Sequence, residues 1–326
     1  MPTAAATTPG TTVDVSVVMV SYNAADHLRR TLAALTGPAA PAAAHEVLLT
    51  DNASADGAAD VAEHFLGPAA VLRLDRNTGF GHAVNRGVER ARGEFVLLLN
   101  PDAEPEPGAV DTLLAHLRAH PDHGVVGGRY RTPDGGADPR SCFGRITLWS
   151  LTCGALGLSV VARGSRLFDP EALGGWDRTT PRHVDVVSGG FLLVSRALWD
   201  RLGGFDELFR IYGEDQDLCL RAARLGYRPS MTPDAVVVHD IGASSTSRAG
   251  RDVLVLCGRA TVVQRHYRGP ARRYGLGALA LGVLLRATAE RALRRPGRWS
   301  EVWRRRAEWA SGWSPSLPLP GERVAA

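Results

Sequence analysis

The sequence predicts an α/β fold with a doubly wound, mostly parallel central sheet, followed by a helical C-terminal extension. Between Val13 and Leu99, apolar β-branched runs alternate with segments of helical periodicity, and such βαβ alternation builds parallel sheets. Each apolar run ends in a polar loop, which is where ligands bind in open α/β sheets. From Arg259 onward, apolar stretches alternate with arginines, which indicates helices of a different kind.

Four strands and two helices account for the first part of the chain. We predict a strand over Val13 to Val20, a helix over Asp26 to Leu35, strands over His45 to Thr50 and Val71 to Leu74, a helix over Ala83 to Ala91, and a strand over Phe95 to Leu99. The helices are predicted from apolar residues at intervals of three and four, and the strands from β-branched runs. The polar residues that follow these strands converge on one edge of the sheet.

The strand Phe95 to Leu99 is apolar throughout and stops at Asn100-Pro101-Asp102. A continuous apolar run is typical of a strand buried on both faces, and proline cannot continue it. Asp102 therefore lies where a metal and a phosphate would meet at the sheet edge. Because proline and aspartate also form ordinary turns, these residues alone favour a turn and a ligand site about equally.

Other strand ends offer the groups that a nucleotide requires. A carboxylate accepts from a base N–H, an aromatic ring stacks on the base, and a glycine loop lets backbone approach phosphate. Asp51, Tyr22 and the loop from Gly79 to Gly81 have these properties. The glycine spacing from Gly79 to Gly87 is not a dinucleotide fingerprint, and it follows the third strand rather than the first. A nicotinamide-dependent dehydrogenase is therefore disfavoured.

The second half of the chain is less regular. We predict helices over Pro105 to His120, Leu148 to Val161 and Ser195 to Leu202, a helix that opens near Glu214, and strands over Gly124 to Tyr130, Val184 to Val194 and Ala235 to Val238. The irregular segment from Thr132 to Pro181 is expected to shape an acceptor pocket, with Trp176 as its candidate residue. Glycines within a strand, as in Ser188-Gly189-Gly190, mark a close backbone approach.

Three carboxylates, Glu214, Asp215 and Asp217, lie in the first turn of one predicted helix. The helix dipole stabilises such carboxylates by ~0.3–1 kcal/mol each, so a structural role is one explanation. The other is a general base that deprotonates a nucleophilic hydroxyl, which we favour for Asp215. His239 follows the last predicted strand, a position where a lone histidine is usually structural.

Composition limits the class of protein. The 326 residues are 44% hydrophobic, enough for one large or two smaller globular domains. No signal peptide opens the sequence, and residues 1–12 are expected to form a disordered tail. The four cysteines show no C-x-x-C spacing, so neither a zinc site nor a disulfide framework is indicated, and a reducing cytoplasm is expected.

Basic charge is concentrated near the C-terminus. From Arg259 to Arg306 there are 13 arginines against two glutamates, a local charge of +11, so the rest of the chain carries −7 of the overall +4. The apolar run Tyr274 to Leu285 is shorter than the ~20 residues that span a bilayer. Its arginine and tryptophan neighbours suit an anionic membrane surface. Packing against the catalytic domain is the alternative, and no nucleic-acid motif accompanies the arginines.

Eight motifs in order give the chain a family resemblance over Val15 to Ser245. They are S-Y-N, T-D-N-A-S, N-T-G-F-G-H-A-V-N-R-G, L-L-L-N-P-D-A, S-G-G-F-L-L-V, G-G-F-D-E-L-F, Y-G-E-D-Q-D-L-C-L-R and V-V-V-H. Each motif is weak alone, but their order resembles the inverting family 2 glycosyltransferases with a GT-A fold. Within that family the chain looks most like rhamnosyltransferases that use dTDP-rhamnose.

The resemblance implies roles for individual residues. The donor-binding residues would be Tyr22, Asn23, Asp51, Asn52, Asn77, Gly79, Asn100 and Asp102. The residues on the acceptor side would be Ser188, Gly189, Gly190, Glu214 and Asp217, the last two orienting the acceptor or bracing the helix start, and Trp176 is added to them because of its place in the irregular segment. Asp215 would be the catalytic base. Asp102 and His239 would hold a divalent cation, Mg²⁺ or Mn²⁺, with Asn100 in place of the first aspartate of the family's DXD motif.

The resemblance also implies a reaction and its partners. We expect inverting transfer of L-rhamnose from dTDP-L-rhamnose to a lipid-linked, polyprenyl-diphosphate saccharide in cell-wall or surface-polysaccharide assembly, by a cytoplasmic protein peripheral to the inner face of the membrane. A galactofuranose, glucose or mannose donor and a non-catalytic nucleotide-sugar-binding protein are the alternatives, and the oligomeric state is left open. The expected domains are a catalytic domain over residues 13–245 with halves 13–102 and 103–245, a basic helical region over 246–312, and a tail over 313–326.

Overall fold

A computed structural model of the chain describes residues 12–239, 247–294, 297–314 and 319. Of the two expected tails, only Thr12, Trp313, Ser314 and Leu319 are among the described residues. The strands are β1 (Val15–Ser21), β2 (His45–Asp51), β3 (Val71–Arg73), β4 (Phe95–Leu99), β5 (Ala103–Pro105), β6 (Val125–Arg131), β7 (Ala137–Asp138), β8 (Cys142–Phe143), β9 (Arg182–His183), β10 (Val186–Val187), β11 (Phe191–Ser195) and β12 (Ser230–His239). The α-helices are α1 (Ala25–Leu35), α2 (Ala58–Leu66), α3 (Phe80–Val88), α4 (Ala109–Ala119), α5 (Leu148–Ala155), α6 (Leu158–Val161), α7 (Arg196–Leu202), α8 (Glu214–Arg224), α9 (Arg248–His266), α10 (Gly269–Ala292), α11 (Arg298–Arg304) and α12 (Arg306–Trp309).

The central sheet has ten strands. Their spatial order is β3, β2, β1, β4, β11, β6, β12, β5, with β7 paired to β6 and β9 to β12. The first four strands are parallel, as predicted. β11 runs antiparallel between β4 and β6, and β12 is parallel to β6. The second half of the sheet is therefore mixed.

Helices cover both faces of the sheet. One apolar cluster joins α1, α2 and α4 to one face, and a second joins α3, α7 and α8 to the other. Alternate residues of β4 enter the two clusters, and all five are buried. The doubly wound arrangement and the doubly buried strand are thus both confirmed. Helix α2 was not predicted, because its three buried residues are all alanine and produce only a weak apolar pattern.

The second half differs from the prediction in four places. The last strand, predicted over Ala235 to Val238, is β12 and begins at Ser230, where it pairs with β6 and β9. Val184 to Val194 is not one strand, because β10 pairs with β8 in a separate small sheet while β11 enters the central sheet. The predicted helix Leu148 to Val161 is divided into α5 and α6 at Gly157, which has a φ of 72°. The helix expected from Pro105 begins instead at Ala109, because the chain before it pairs with β12 as strand β5.

The C-terminal helices form an apolar core of their own together with α5. α10 packs along α5 and also against α9 and α11, burying Leu279 and Val283 on one face. The core includes Val263 of α9, Val302 of α11 and Trp309 of α12. None of the described helices combines the length and the apolarity that crossing a bilayer requires.

Candidate active site

The loops after β1 and β2 are joined to each other at the edge of the parallel strands. The backbone N–H of Asn23 donates to Ser54 Oγ at 3.0 Å, and Asn23 Oδ1 accepts from the N–H of Ala55 at 2.7 Å. Asn23 has a φ of 53°, a conformation that asparagine tolerates better than most residues. Tyr22, between β1 and this turn, is half-buried. The predicted base-binding residues therefore share one edge of the sheet.

Asp51 ends β2 with a carboxylate that is almost fully buried, at 4% exposure. Its Oδ2 accepts from the N–H of Ser54 at 3.2 Å. Its Oδ1 has no hydrogen-bonding partner among the described residues. A buried carboxylate oxygen without a partner is costly, so this atom fits an acceptor for N–H groups of a bound ligand.

The side chain of Asn52 holds the predicted donor loop through hydrogen bonds. Its side chain donates to Asn77 Oδ1 at 2.9 Å and to the Gly79 carbonyl at 3.3 Å, and it accepts from the N–H of Thr78 at 2.9 Å. Gly79 has a φ of 93°, and a Cβ there would lie 2.5 Å from the Arg210 carbonyl oxygen. The glycine is required because this loop packs against the chain just before α8.

Strand pairing places His239 beside Asp102. β5 begins immediately after Asp102, and its first residue, Ala103, is aligned with His239 at the end of β12. Asp102 Oδ1 and His239 Nε2 are 3.5 Å apart. The residues that the resemblance assigns to a metal are thus neighbours, although 137 positions separate them in the sequence.

Asp138 completes this group and was not predicted. The β6–β7 hairpin aligns it with Tyr130, and its fully buried carboxylate lies 3.3 Å from His239 Nδ1. Burial lowers the pKa of His239, but the hydrogen bonds to Asp102 and Asp138 outweigh burial and raise the pKa to about 9. The preceding Pro133-Asp134-Gly135-Gly136 is a turn signal from which the hairpin was predictable.

The donor set fits a divalent cation. A histidine whose Nδ1–H is held by a carboxylate presents Nε2 in a fixed direction, an arrangement typical of metal ligands. Here that direction is toward Asp102, and binding of a metal would displace the Nε2 proton. Asp102 and His239 are therefore suited to hold the ion, with Asp138 orienting the imidazole.

A short turn connects Asp215 to the metal-side residues. Asp215 Oδ2 accepts from the N–H of Gly189 at 3.3 Å, while the Gly190 carbonyl accepts from the N–H of Asn100 at 3.0 Å. A Cβ on Gly190 would lie 2.7 Å from Tyr130 Oη and 2.8 Å from Asn100 Nδ2, so a larger residue here would displace those two side chains. Ser188 begins the turn and donates its N–H to the Ser141 carbonyl. The glycines inside the predicted strand thus mark a close approach, as expected.

The carboxylates at the start of α8 do not cap the helix. The N-cap is Gly213, which has no side chain. Burial raises the pKa of Asp215, although the N–H groups of Gln216 and Gly189 oppose this. Burial and the adjacent Asp215 raise the pKa of Glu214 well above its usual value, and its Oε2 has no hydrogen-bonding partner within the described part of the chain.

Asp217 braces the helix start, one of the two roles expected for it. Its carboxylate accepts from Arg221 Nε at 2.6 Å and lies 2.8 Å from His266 Nε2. Arg221 in turn donates to the carbonyls of Leu202 and Gly204. Both Asp217 oxygens are therefore engaged in holding α8 against α7 and α9.

The polar and ring contacts of Trp176 do not involve the site residues described above. Its indole N–H donates to Thr180 Oγ1 at 3.2 Å, and the guanidinium groups of Arg178 and Arg182 lie over its ring. These contacts include none of the other predicted site residues. The acceptor role of Trp176 thus stays a prediction from its place in the irregular segment.

The sequence is similar to those of known glycosyltransferases. Residues 16–151 match the family model for Glycosyl transferase family 2. The chain is 32% identical over 305 residues to N-acetylglucosaminyl-diphospho-decaprenol L-rhamnosyltransferase of Mycobacterium tuberculosis, which covers 86% of this chain and 95% of that protein. It is 29% identical over 233 residues to the pre-mycofactocin glycosyltransferase of the same species, covering 70% of this chain and 43% of that protein.

Solved structures share the fold. The mannosyltransferase PcManGT from Pyrobaculum calidifontis, in complex with GDP-Man and Mn²⁺, superposes with a TM-score of 0.55 at 20% identity, covering 94% of this chain and 83% of that one. S. aureus TarS 1-349 in complex with UDP-GlcNAc gives a TM-score of 0.53 at 18% identity, covering 89% and 78%. These similarities confirm the predicted fold class.

Proposed function

Because the chain belongs to glycosyl transferase family 2, we propose that it transfers L-rhamnose from dTDP-L-rhamnose to a saccharide carried on a polyprenyl diphosphate. The observation that carries this proposal is the 32% identity that extends over 95% of a decaprenol-linked rhamnosyltransferase. That similarity runs beyond the family match at residues 16–151 and includes most of the second half. It therefore bears on the acceptor as well as the donor.

The donor nucleotide is assigned to the edge formed by β1 and β2. Tyr22 stacks on the base, and Asp51 Oδ1, which has no hydrogen-bonding partner in the described part of the chain, accepts its N–H group. Asn23, Asn52 and the loop of Asn77 and Gly79 shape the pocket through the hydrogen bonds described above.

Asp102 and His239 are proposed to hold a divalent cation, Mg²⁺ or Mn²⁺. Such an ion supplies positive charge next to the diphosphate, whose negative charge grows as it leaves. Asp138 keeps the His239 imidazole oriented through Nδ1. Asn100, in place of a first aspartate, contributes an amide next to Gly190 rather than a second charge.

Asp215 is proposed to accept the proton of the acceptor hydroxyl. The acceptor oxygen forms a bond to the anomeric carbon on the face opposite the diphosphate, and the electron pair of the breaking C–O bond leaves with dTDP. A single displacement of this kind inverts the anomeric centre. The turn of Ser188, Gly189 and Gly190 lies between the base and the metal-side residues, and Glu214 and Trp176 are proposed to contact the acceptor.

A lipid-linked acceptor has consequences for where in the cell the enzyme acts. We propose that the enzyme is peripheral to the cytoplasmic face of the cell membrane, with residues 13–102 binding donor, 103–245 binding acceptor and the basic region 246–312 facing anionic lipid. Residues 240–246, which include the boundary between the acceptor-binding half and the basic region, lie outside the described residues. Several arginines of the basic region are paired with carboxylates, among them Arg259 with Glu171 and Arg298 with Asp252.

The test is a transfer assay with the full-length chain. We expect dTDP-L-rhamnose, Mg²⁺ and a polyprenyl-diphosphate N-acetylglucosamine acceptor to give rhamnosylated lipid and dTDP in equal amounts, with inversion seen by NMR. A chelator should stop the reaction, and Mg²⁺ or Mn²⁺ should restore it. Transfer only from UDP-galactofuranose, UDP-glucose or GDP-mannose would show that this nucleotide sugar, and not dTDP-L-rhamnose, is the donor. Binding of dTDP-L-rhamnose without turnover on any acceptor would instead indicate a binding protein.

A further inference from the structure

Large hydrophobic side chains are exposed almost exclusively in two segments of the described chain. One segment covers α5, α6 and the loop that follows, and the other is α10. The exposed residues there are Trp149, Leu156, Val160, Val161, Leu167, Tyr274, Leu281, Leu284, Leu285 and, directly after α10, Leu293, while Leu225, directly after α8, lies elsewhere. Val161 is 88% exposed and Val160 is 63% exposed. Such concentration is unusual, because exposed apolar residues are normally scattered.

The two segments are adjacent in space. A Cβ on Gly282 of α10 would lie 2.9 Å from Ala155 Cα at the end of α5, so the two helices touch there. Thr152 Oγ1 and Tyr274 OH are 2.5 Å apart. Leu156 follows Ala155 directly, and Leu281 precedes Gly282. The exposed residues therefore belong to two segments that are in direct contact, and we call them together the exposed apolar surface.

α10 is apolar on both of its faces. Its inner face buries Ala278, Leu279 and Val283, while Leu281, Leu284 and Leu285 face outward. Between Tyr274 and Ala289 the one charged residue is Arg286, and its guanidinium turns inward to the carbonyls of Gly154 and Gly282. A helix that is apolar all round requires apolar cover on both sides.

Arginines border this surface. Arg163 and Arg166 follow α6, Arg272 and Arg273 precede Tyr274, and Arg291 lies near the end of α10, and all five side chains are exposed. An apolar centre with a cationic border matches a bilayer that contains anionic phospholipid. The border would repel a second positively charged surface of the same kind, which disfavours self-association through this face.

We infer that the exposed apolar surface docks the enzyme on an anionic membrane, with the tip of α6 and the outer face of α10 entering the boundary of the acyl chains. The 148–167 segment contributes to this surface together with the basic C-terminal region, and it supplies the most exposed apolar side chain, that of Val161. This inference rests on the proposed function only in that the lipid of a membrane-held acceptor would stay in the bilayer beside the site. The arginines contact lipid phosphate at the rim.

The test is co-sedimentation of the full-length chain with phosphatidylcholine vesicles that contain phosphatidylglycerol. The variant Val161→Asp with Leu285→Asp places two charges on the surface, and we expect its affinity for vesicles to fall about tenfold or more for each residue. Leu225→Asp is the matched control, because Leu225 is 39% exposed against 43% for Leu285 but lies outside the surface. The control should bind vesicles as the unchanged chain does.

Two further measurements separate the outcomes. The melting temperature and the affinity for dTDP-L-rhamnose, measured by calorimetry, should be the same in both variants and in the unchanged chain, which tests folding and the proposed donor site independently of docking. Equal vesicle binding by all three proteins would overturn the inference. So would a gel-filtration shift from dimer to monomer in the double variant with unchanged vesicle binding, since it would assign the surface to a second copy.

Discussion

Asp215 and Glu214 are adjacent carboxylates in different environments. Asp215 accepts two backbone hydrogen bonds, from Gln216 and Gly189, whereas Glu214 Oε2 has no hydrogen-bonding partner among the described residues. Burial raises the pKa of both, and that of Glu214 well above its usual value. Environments that push two neighbouring pKa values apart assign acid and base. Glu214 therefore keeps a proton more readily, and Asp215 is the better base.

Replacing Asp215 by asparagine tests this assignment. The change removes the base but preserves its shape, so we expect kcat to fall about 10²–10⁴-fold. Donor affinity, measured by calorimetry, should stay the same because the donor loops belong to other elements. Asp217→Asn is the control, since its partners are Arg221 and His266, and it should lower the melting temperature rather than kcat. Near-normal turnover of Asp215→Asn would exclude Asp215 as the base.

The pKa of His123 makes the stability of the protein depend on pH. Burial, together with His183 and His116, lowers the pKa of His123 to about 4, against an ordinary value of about 6.5. The unfolded chain therefore binds this proton more readily. The stabilising contribution is complete above pH of about 6.5 and is lost as the pH falls toward 4.

We expect urea unfolding of the unchanged chain to show this loss between pH 6.5 and 4, and the slope to be smaller in His123→Asn. Asparagine can still reach Ser230 Oγ, which lies 2.8 Å from His123 Nδ1. Each protein is compared with its own value at pH 7.5, so that only the slope is scored. Parallel slopes for the two proteins would show that His123 does not titrate across this range.

The sequence was informative at the residue scale wherever function follows from a strand end or a helix start. Asp51, Asp102 and Asp215 stand at such positions and were singled out on that ground. Asp138 was missed, because its place beside His239 depends on pairing between β6 and β7. The assigned roles follow from the family resemblance and stay predictions until the variants are measured.

At the scale of elements, the donor loop and the chain before α8 are fitted to each other. Phe80 donates its N–H to the Arg210 carbonyl at 2.6 Å, and Gly79 lies against the same carbonyl. A Cβ on Gly81 would lie 3.0 Å from the Phe209 carbonyl oxygen. Such close packing of two backbones leaves no room for a side chain.

Gly79→Ala should therefore be costly for stability and donor binding together. We expect the free energy of unfolding to fall by about 1–3 kcal/mol through overpacking, with a further cost from the positive φ. Gly57→Ala is the matched control, because Gly57 has a similar φ of 82° but no atom within 4 Å of the added Cβ. Urea denaturation and donor titration compare them. Equal losses in both variants would show that backbone strain, not packing, explains Gly79.

Elements were predictable where apolar periodicity was strong and continuous. β4 was predicted with its observed bounds, since all five residues are apolar. Val184 to Val194 was misjudged as one strand because residues on both sides of the turn are apolar, and only tertiary pairing separates β10 from β11. The start of α4 was misplaced for a similar reason, since β5 forms only through its partner β12.

At the scale of the whole molecule, the C-terminal helices pack against α8 and the chain before it, which carry part of the candidate site. Gly258 of α9 lies directly against the Tyr212 carbonyl at the start of α8, and His266 of α9 holds Asp217. Phe209 belongs to the same apolar core as α9 and α12. The basic region is therefore also a structural partner of α8, in agreement with the alternative drawn from the sequence that this region packs against the catalytic domain.

The packing of Gly79 against Arg210 also bears on how the enzyme folds during its synthesis on the ribosome. The family match ends at residue 151, and a nascent chain of that length already contains every residue proposed to hold the nucleobase. It lacks β11, which covers the open side of β4, and it lacks the backbone against which the donor loop closes. We therefore expect the N-terminal half to reach its native packing only with β11 and Arg210 in place, and donor binding to develop once the chain has been synthesised beyond Arg210.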